Sequence, residues 1–342
     1  MSTRERALWF VGPRKVELRD EAVRAPGPGE VVVRGVASGV SQGTEMLLYK
    51  GEGPVVFDPS LARAAEREGR SGTGTGTGET REATTYPRRY GYAWVGEVIE
   101  TGTGATLSVG TRVFALVAHG DTHTLGEDQV RVLPEDVPAT RAVLAANLET
   151  AVTCAWDAGV SFGDDAVVLG GGVVGILTAW LLSRSGANVT LVERSEARRS
   201  AARALVPSAR LEASVTPDGS ADVVVEATGD PCVLDQAVAW ARPEARIVVA
   251  SFYGTRRAPV DLGDAFHRRR LELRASQVSS IPPRLRERWT HARRWRLVLS
   301  LLHERALDAL LAPPTPFERA AELYASLDTT ADLPPAHVFV YR

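Results

Sequence analysis

The feature that most constrains this chain is a glycine run set between two apolar stretches. Residues 166–169 are wholly apolar, as a strand buried on both faces requires. They break into Gly170-Gly171-Gly172-Val173-Val174-Gly175, which fits G-x-G-x-x-G. An apolar helical stretch follows to Leu182, with Gly186 as its stop signal. A second strand at 189–192 ends in Glu193, 18 positions beyond Gly175. Each part has a mechanical task. Gly170 permits the tight turn out of the strand. Gly172, lacking a Cβ, lets a pyrophosphate approach the backbone. Gly175 lets helix and strand pack closely. The free N–H groups at the helix start, around Val173 and Val174, face the phosphates, and Glu193 meets a ribose hydroxyl. A lone glycine fingerprint is a weak signal. Strand, helix, second strand and terminal acid together supply the context it needs, and a glycine-rich turn of some other α/β protein is the alternative.

Glu193 favours NAD(H), because its carboxylate accepts from a 2′-hydroxyl and repels a 2′-phosphate. Arg194, Arg198 and Arg199 lie close behind. They are either phosphate ligands for NADP(H) or solvated residues of a helix face. NAD(H) ahead of NADP(H) is the expectation, with Glu193 deciding. Downstream, helices at 196–205 and 234–241 alternate with a buried strand at 222–229, a further strand at 246–252 and a last candidate strand at 271–277. That alternation predicts a parallel, doubly wound sheet. Ligands of such sheets lie beyond the carboxyl ends of strands. Thr228, Ser251 and Gln277 are therefore expected cofactor neighbours, or else ordinary polar residues closing strands.

The N-terminal part has a different pattern. Residues 6–11, 15–23 and 30–40 read as strands, the third launched by the turn Pro26-Gly27-Pro28-Gly29. Ser41-Gln42-Gly43-Thr44-Glu45 follows, then a short apolar patch to Tyr49. Residues 68–79 hold GRSGTGTGTGE, a low-complexity run expected to be a surface loop. The β pattern resumes at 90–99, 109–115 and 129–133, and residues 139–158 read as one helix. A basic helix containing Trp289 and Trp295 is expected at 285–302, and a helix then a strand at 317–327 and 337–341. Net charge is −2, which gives no basic balance for nucleic acid or an anionic membrane surface. The N-terminus shows no apolar leader core and no 18-residue apolar run exists, so a cytoplasmic protein is expected. Two cysteines, Cys154 and Cys232, exclude a disulfide framework and a four-cysteine zinc site within the chain.

With these stretches in view, the chain resembles the medium-chain dehydrogenase/reductase superfamily. The residues that carry the resemblance are Pro26-Gly27-Pro28-Gly29-Glu30-Val31, Gly43-Thr44-Glu45, Val109-Gly110-Thr111-Arg112-Val113 and Leu169 to Gly175. It implies a Rossmann doubly wound sheet plus a β-rich, GroES-like catalytic domain. The implied division is 1–145 for the catalytic domain, 146–284 for the dinucleotide-binding domain and 285–342 for a return to the first. It also implies a homodimer paired through the last strand of the Rossmann sheet. Zinc-dependent members carry Cys-Gly-Thr-Asp, Gly-His-Glu and a later Cys or Glu. Here those positions read Gln42-Gly43-Thr44-Glu45, Gly91-Tyr92-Ala93 and about Ala146. All three ligands are replaced, so the sequence is similar to a zinc-free branch. Ser41 to Glu45, the Tyr90-Gly91-Tyr92 block and His119 make that branch similar to bacteriochlorophyllide hydroxyethyl dehydrogenase-like proteins. A substitute zinc site from Glu45, His119, His123 and Glu149 needs a new geometry.

Without a metal, a hydrogen-bond donor must handle the charge on the substrate oxygen. Four candidates follow. Tyr92 is a phenolic donor, or a cross-strand partner of Tyr90 or Trp94. Thr44 stands where the superfamily places a hydroxyl relay, or caps a turn. Glu45 is a general base, or one half of a structural ion pair. His119 titrates in the useful range, or is a packed polar residue. The resemblance thus implies a zinc-independent NAD(P)(H)-dependent oxidoreductase acting on a secondary alcohol or ketone of small or medium size. Two alternatives are a reductase of activated C=C bonds and a catalytically silent dinucleotide-binding protein.

Overall fold

A computed structural model describes residues 4–53 and 86–342, so the low-complexity run at 68–79 lies outside the described residues. Its contacts divide the chain into two units. The first holds Met1–Ala146, Leu311–Thr330 and Ala336–Arg342; the second holds Asn147–Leu310 and Ala331–Pro335.

The first unit opens on β1 (Arg4–Gly12), β2 (Lys15–Ala22) and β3 (Glu30–Val40). Then come α1 (Thr44–Lys50), β4 (Arg88–Arg89), β5 (Trp94–Thr101), β6 (Arg112–Ala115), β7 (Thr122–Gly126) and β8 (Val130–Val132). The stretch read as one helix at 139–158 is two, α2 (Ala139–Ala142) and α3 (Ala145–Ala158). The Leu144 amide bonds back only three residues to the Arg141 carbonyl, and that tighter turn interrupts the α-helical register.

The second unit follows the expected alternation. Its elements are β9 (Asp165–Leu169), α4 (Val173–Arg184), β10 (Asn188–Val192), α5 (Glu196–Leu205) and β11 (Arg210–Glu212). They continue with β12 (Ala221–Glu226), α6 (Leu234–Trp240), β13 (Ala241–Val249), α7 (Ala265–Arg268), β14 (Glu272–Ala275) and α8 (His291–Leu301). All six strands are parallel, in the order β11-β10-β9-β12-β13-β14. Numbered within the unit this is 3-2-1-4-5-6, the doubly wound order of dinucleotide-binding sheets. Val167, Leu169, Val224 and Ile247 pack inside, beneath α6 residues Leu234, Ala237 and Val238. The basic helix starts at His291 rather than 285. Pro282 and Pro283 hold a 3-10 turn over Pro283–Leu285, and the Thr290 side chain then caps the helix by accepting from the Arg293 amide.

The last elements, β15 (Thr315–Pro316), α9 (Ala320–Thr329) and β16 (His337–Val340), belong to the first unit. Its larger sheet runs β15-β16-β3-β5-β6-β8, with β7 also paired to β3, and its smaller sheet is β2-β1-β4. Val31, Val33, Trp94, Val98 and Val113 fill one core; Leu8, Phe10, Tyr324 and Phe339 fill another. Two expected strands are displaced: 246–252 is β13, which ends at Val249, and 271–277 shrinks to β14. The patch at 46–49 is the body of α1, because Glu45 in its first turn accepts from the Ser41 amide.

Candidate functional site

In the second unit, strand order reverses between β9 and β12, and the glycine run sits at that point. Gly170 has φ +99°, and a Cβ there would stand 2.8 Å from the carbonyl carbon of Ala227. A Cβ on Gly175 would stand 2.0 Å from the Gly170 carbonyl oxygen, so any side chain would drive α4 off the strand. Gly172 precedes α4, and nothing lies within 4 Å of the place its Cβ would take. The two closed positions and the open one have the shapes that a turn, a helix–strand contact and a phosphate approach demand. Val173 and Val174 form the first turn of α4, whose amides face that open space at the positive end of the helix dipole.

Glu193 closes β10 and is nearly buried. One carboxylate oxygen accepts from the Gly171 amide at 2.7 Å, and the other accepts from the Ser195 amide at 2.8 Å. It therefore ties the glycine loop to the start of α5. The three arginines differ from one another. Arg199 folds back on the Glu193 and Arg194 carbonyls and on the Glu196 carboxylate. Arg198 stands 3.8 Å from Glu193 and donates to the Leu333 carbonyl at 3.3 Å. Arg194 is exposed and offers its carbonyl to Arg199.

Thr228 and Ser251 lie together beyond the carboxyl ends of β12 and β13, where the Ser251 hydroxyl accepts from the Gly229 amide at 2.8 Å. Gln277 lies two residues past β14, and its carbonyl oxygen accepts from the Ser279 amide at 2.6 Å. It is engaged in its own turn, apart from the Thr228–Ser251 pair's bonds. Sequence reasoning missed Glu226. This carboxylate is fully buried at the end of β12 and accepts from the Thr228 amide at 2.7 Å, the Thr228 hydroxyl and the Tyr253 hydroxyl. Burial, then the bond to Glu226, pushes the Tyr253 phenol well above its usual range. The signal was present: Glu226 follows the apolar run at 223–225 just as Glu193 follows Leu191 and Val192.

In the first unit, the four chemical candidates fall into two adjoining groups. Tyr92 and Thr44 share Ser41. The Tyr92 hydroxyl donates to Ser41 Oγ at 2.6 Å, and the Thr44 amide donates to the same oxygen at 3.2 Å. All three side chains are half-buried. Burial is the main cause that pushes the Tyr92 phenol up to about 12; Glu45 adds to it, and bonds with Ser41 and Thr44 oppose it. Tyr92 is thus a neutral donor throughout the physiological range. Its ring also meets Tyr90 edge-on at 6.3 Å, a contact within the segment between β4 and β5 and not across two strands.

Glu45 and His119 are wholly buried and paired. His119 Nε2 lies 3.1 Å from Glu45, and its Nδ1 lies 2.7 Å from Ser38 Oγ, which in turn meets the Tyr341 hydroxyl at 2.7 Å. The Ser41 amide and the Tyr324 hydroxyl also donate to Glu45. Every oxygen and nitrogen of this pair has a partner within the first unit. These contacts are those of a packed histidine and a carboxylate held by hydrogen bonds. Gly91, at φ +140°, makes room for the arrangement: a Cβ there would stand 3.0 Å from the His119 ring. Ser38, Tyr324 and Tyr341 were not foreseen, because each reaches the cluster from a distant element.

Among the described residues, the positions at which zinc-dependent members carry ligands hold no zinc donor set. Gln42, Tyr92 and Ala146 offer an amide, a high-pKa phenol and a methyl group. Glu149 pairs with Arg294 at 2.8 Å, and burial pushes His123 down to about 3, with its Nε2 on the Ala118 carbonyl at 2.9 Å. Among the described residues no three His, Cys, Asp or Glu converge on a metal position.

Comparisons place this geometry among known proteins. The family described as FAD dependent oxidoreductase matches residues 165–325, less than half of the chain. The chain is 27% identical over 278 residues to 2-desacetyl-2-hydroxyethyl bacteriochlorophyllide A dehydrogenase of Cereibacter sphaeroides, covering 73% of this chain and 74% of that one. Among solved structures it is similar to 2R,3R-butanediol dehydrogenase from Bacillus subtilis, with a TM-score of 0.76 at 20% identity over 98% of this chain and 99% of the other. It is also similar to acetophenone reductase from Geotrichum candidum in complex with NAD, with a TM-score of 0.77 at 16% identity over 99% and 98%. No helix among the described residues is long and apolar enough to cross a membrane.

Proposed function

We propose, from the premise that this chain has the medium-chain dehydrogenase/reductase fold, that it is a zinc-independent, NAD(H)-dependent oxidoreductase. It interconverts a secondary alcohol and a ketone on a small or medium organic substrate. The observation that carries the reading is the crevice of the second unit. There a 3-2-1-4-5-6 sheet, two glycines that admit no side chain and one open glycine coincide at the reversal point. When bound, a nicotinamide supplies or removes the hydride. The chain's own work is to hold the dinucleotide and manage a proton. Gly172 and the first amides of α4 hold the diphosphate, and Glu193 takes the adenosine ribose. Tyr92, kept neutral, turns its single O–H from Ser41 Oγ to a ketone oxygen and gives up that proton as the oxygen becomes an alkoxide. The Ser41 hydroxyl then donates to the phenolate that remains, with Thr44 beside it. Glu45 and His119 act as positioning residues: they fix the Ser41 backbone from beneath.

A flavin is the second reading, favoured by the family match over 165–325. The glycine fingerprint recognises an ADP moiety, which FAD and NAD share, so this match and the dehydrogenase likeness agree on the crevice and differ on the reactive ring. Titration with NADH and NADPH, followed by nicotinamide fluorescence, tests the cofactor. Saturable binding of NADH supports the proposal. A flavin absorption band in the purified protein with silence toward both nicotinamides overturns it. A panel of ketones, alcohols and enones, read by NADH absorbance, then separates the dehydrogenase from a C=C reductase and from a silent binder.

A further inference from the structure

The segment Ala331–Pro335 groups with the second unit, although the residues on both sides of it group with the first. Its Asp332 lies at the start of α5, a ten-residue helix. One carboxylate oxygen accepts from the Ser195 hydroxyl and, at 3.1 Å, from the Ala197 amide. Those bonds hold the Asp332 carboxyl below its usual range, with the nearby charges of Arg199 and Arg198 adding to the effect. Two residues upstream, Glu193 takes the Ser195 amide. Leu333, next to Asp332, offers its carbonyl to Arg198. The chain has thus filled the amide, hydroxyl and arginine set beside Glu193 with its own oxygens.

That set is what a phosphate on the ribose 2′-oxygen would use. An acid at the end of the second strand meets the 2′-hydroxyl, and a nearby arginine accommodates a 2′-phosphate. Helix-start amides favour the same anion. Resting on the cofactor reading above, we infer that Asp332 is a specificity-determining residue that excludes NADP(H). It does so in two ways. It occupies the Ser195 hydroxyl and Ala197 amide, and its charge repels a dianionic phosphate beside Glu193. The separation of labour differs from the familiar acid alone, since the selecting carboxylate arrives from a segment 137 positions further along the chain.

The test is nucleotide titration of the whole protein and of Asp332→Ala and Asp332→Asn, with melting temperatures taken in parallel. Asp332→Ala is expected to tighten NADPH by about tenfold or more while NADH stays within about threefold, a tenfold change being about 1.4 kcal/mol. Asp332→Asn, which keeps the acceptor but not the charge, is expected to fall between. Added salt is expected to narrow the NADH–NADPH gap in the parent protein more than in Asp332→Ala. 2′,5′-Adenosine diphosphate, competing against NADH, should gain affinity in Asp332→Ala alongside NADPH. Normal NADH binding with unchanged NADPH and unchanged 2′,5′-adenosine diphosphate in the variants overturns the inference alone. Silence of the parent protein toward both nicotinamides overturns the cofactor reading and this inference with it.

Discussion

A phenol does useful acid chemistry only if it is neutral before the reaction and its anion is tolerated afterwards. Tyr92 meets the first condition through burial, which with Glu45 pushes it up to about 12 from an ordinary 10.0. It meets the second through Ser41 and Thr44. Tyr92→Phe keeps the ring that meets Tyr90 edge-on and removes the hydroxyl, with its proton and its bond to Ser41. It is expected to lower the ketone-reduction rate by roughly 10²–10⁴-fold with NADH affinity unchanged, read by steady-state kinetics and fluorescence titration. The parent's reduction rate should be flat from neutral pH upward and fall only as pH approaches 12. The linked effect on stability has the same sign. A phenol raised on folding contributes stability fully below about pH 10 and loses it as pH rises through the folded value. Tyr92 and Thr44 were legible because they stand in motif positions. Ser38, Tyr324 and Tyr341 were not. Tyr324 lies 279 positions from the Glu45 it binds, and no local pattern encodes such a contact.

At the scale of the element, the β9–α4–β10 unit was legible almost residue for residue, since its tests are local: apolar strand, glycines, apolar helix, apolar strand, acid. Gly175 shows why the spacing is rigid. Its missing side chain is replaced by the Gly170 carbonyl, which belongs to the loop between β9 and α4, while Gly175 lies in the first turn of α4. Gly175→Ala must part helix from strand or bend the loop. Overpacking of this kind costs about 1–3 kcal/mol and is expected to appear as a lower melting temperature. NADH affinity should fall by at least about tenfold, because the α4 amides move with the helix. Gly172→Ala, by contrast, meets no neighbour in the free protein, so it should keep the parent's melting temperature and lose only nucleotide affinity. Elements whose limits depend on tertiary partners were misjudged. Helix α8 was begun too early because the charged stretch before it has a helical composition, while Pro282, Pro283 and Thr290 fix the start at His291. Strands β7, β11 and β15 escaped notice because a strand of two to five residues gains its hydrogen bonds from neighbours far along the chain.

For the whole molecule, the open question is what covers the edges of the six-stranded parallel sheet. An edge strand exposes unpaired amides and carbonyls, and proteins blunt it with free charge or cover it with another chain. The β11 edge is three residues long, with Arg210 paired to Glu212. The β14 edge is four residues long and adds an apolar side chain. Its charges are already satisfied within the chain, Glu272 by Arg246 at 2.8 Å and Arg274 by Glu272 at 2.8 Å and Asp157 at 3.6 Å. Between them Leu273 is 38% exposed, an apolar side chain on a strand with one partner among the described residues. Among the described residues no unpaired charge stands on β14. A two-fold axis beside β14 would pair it antiparallel with itself, the same patch serving both chains. Light scattering is expected to give twice the chain mass. Leu273→Asp, placing two like charges near the axis, is expected to give the single-chain mass with NADH binding retained. A parent protein that runs as a monomer, or a Leu273→Asp variant that stays paired, would show that this edge is left to solvent or that the copies meet elsewhere.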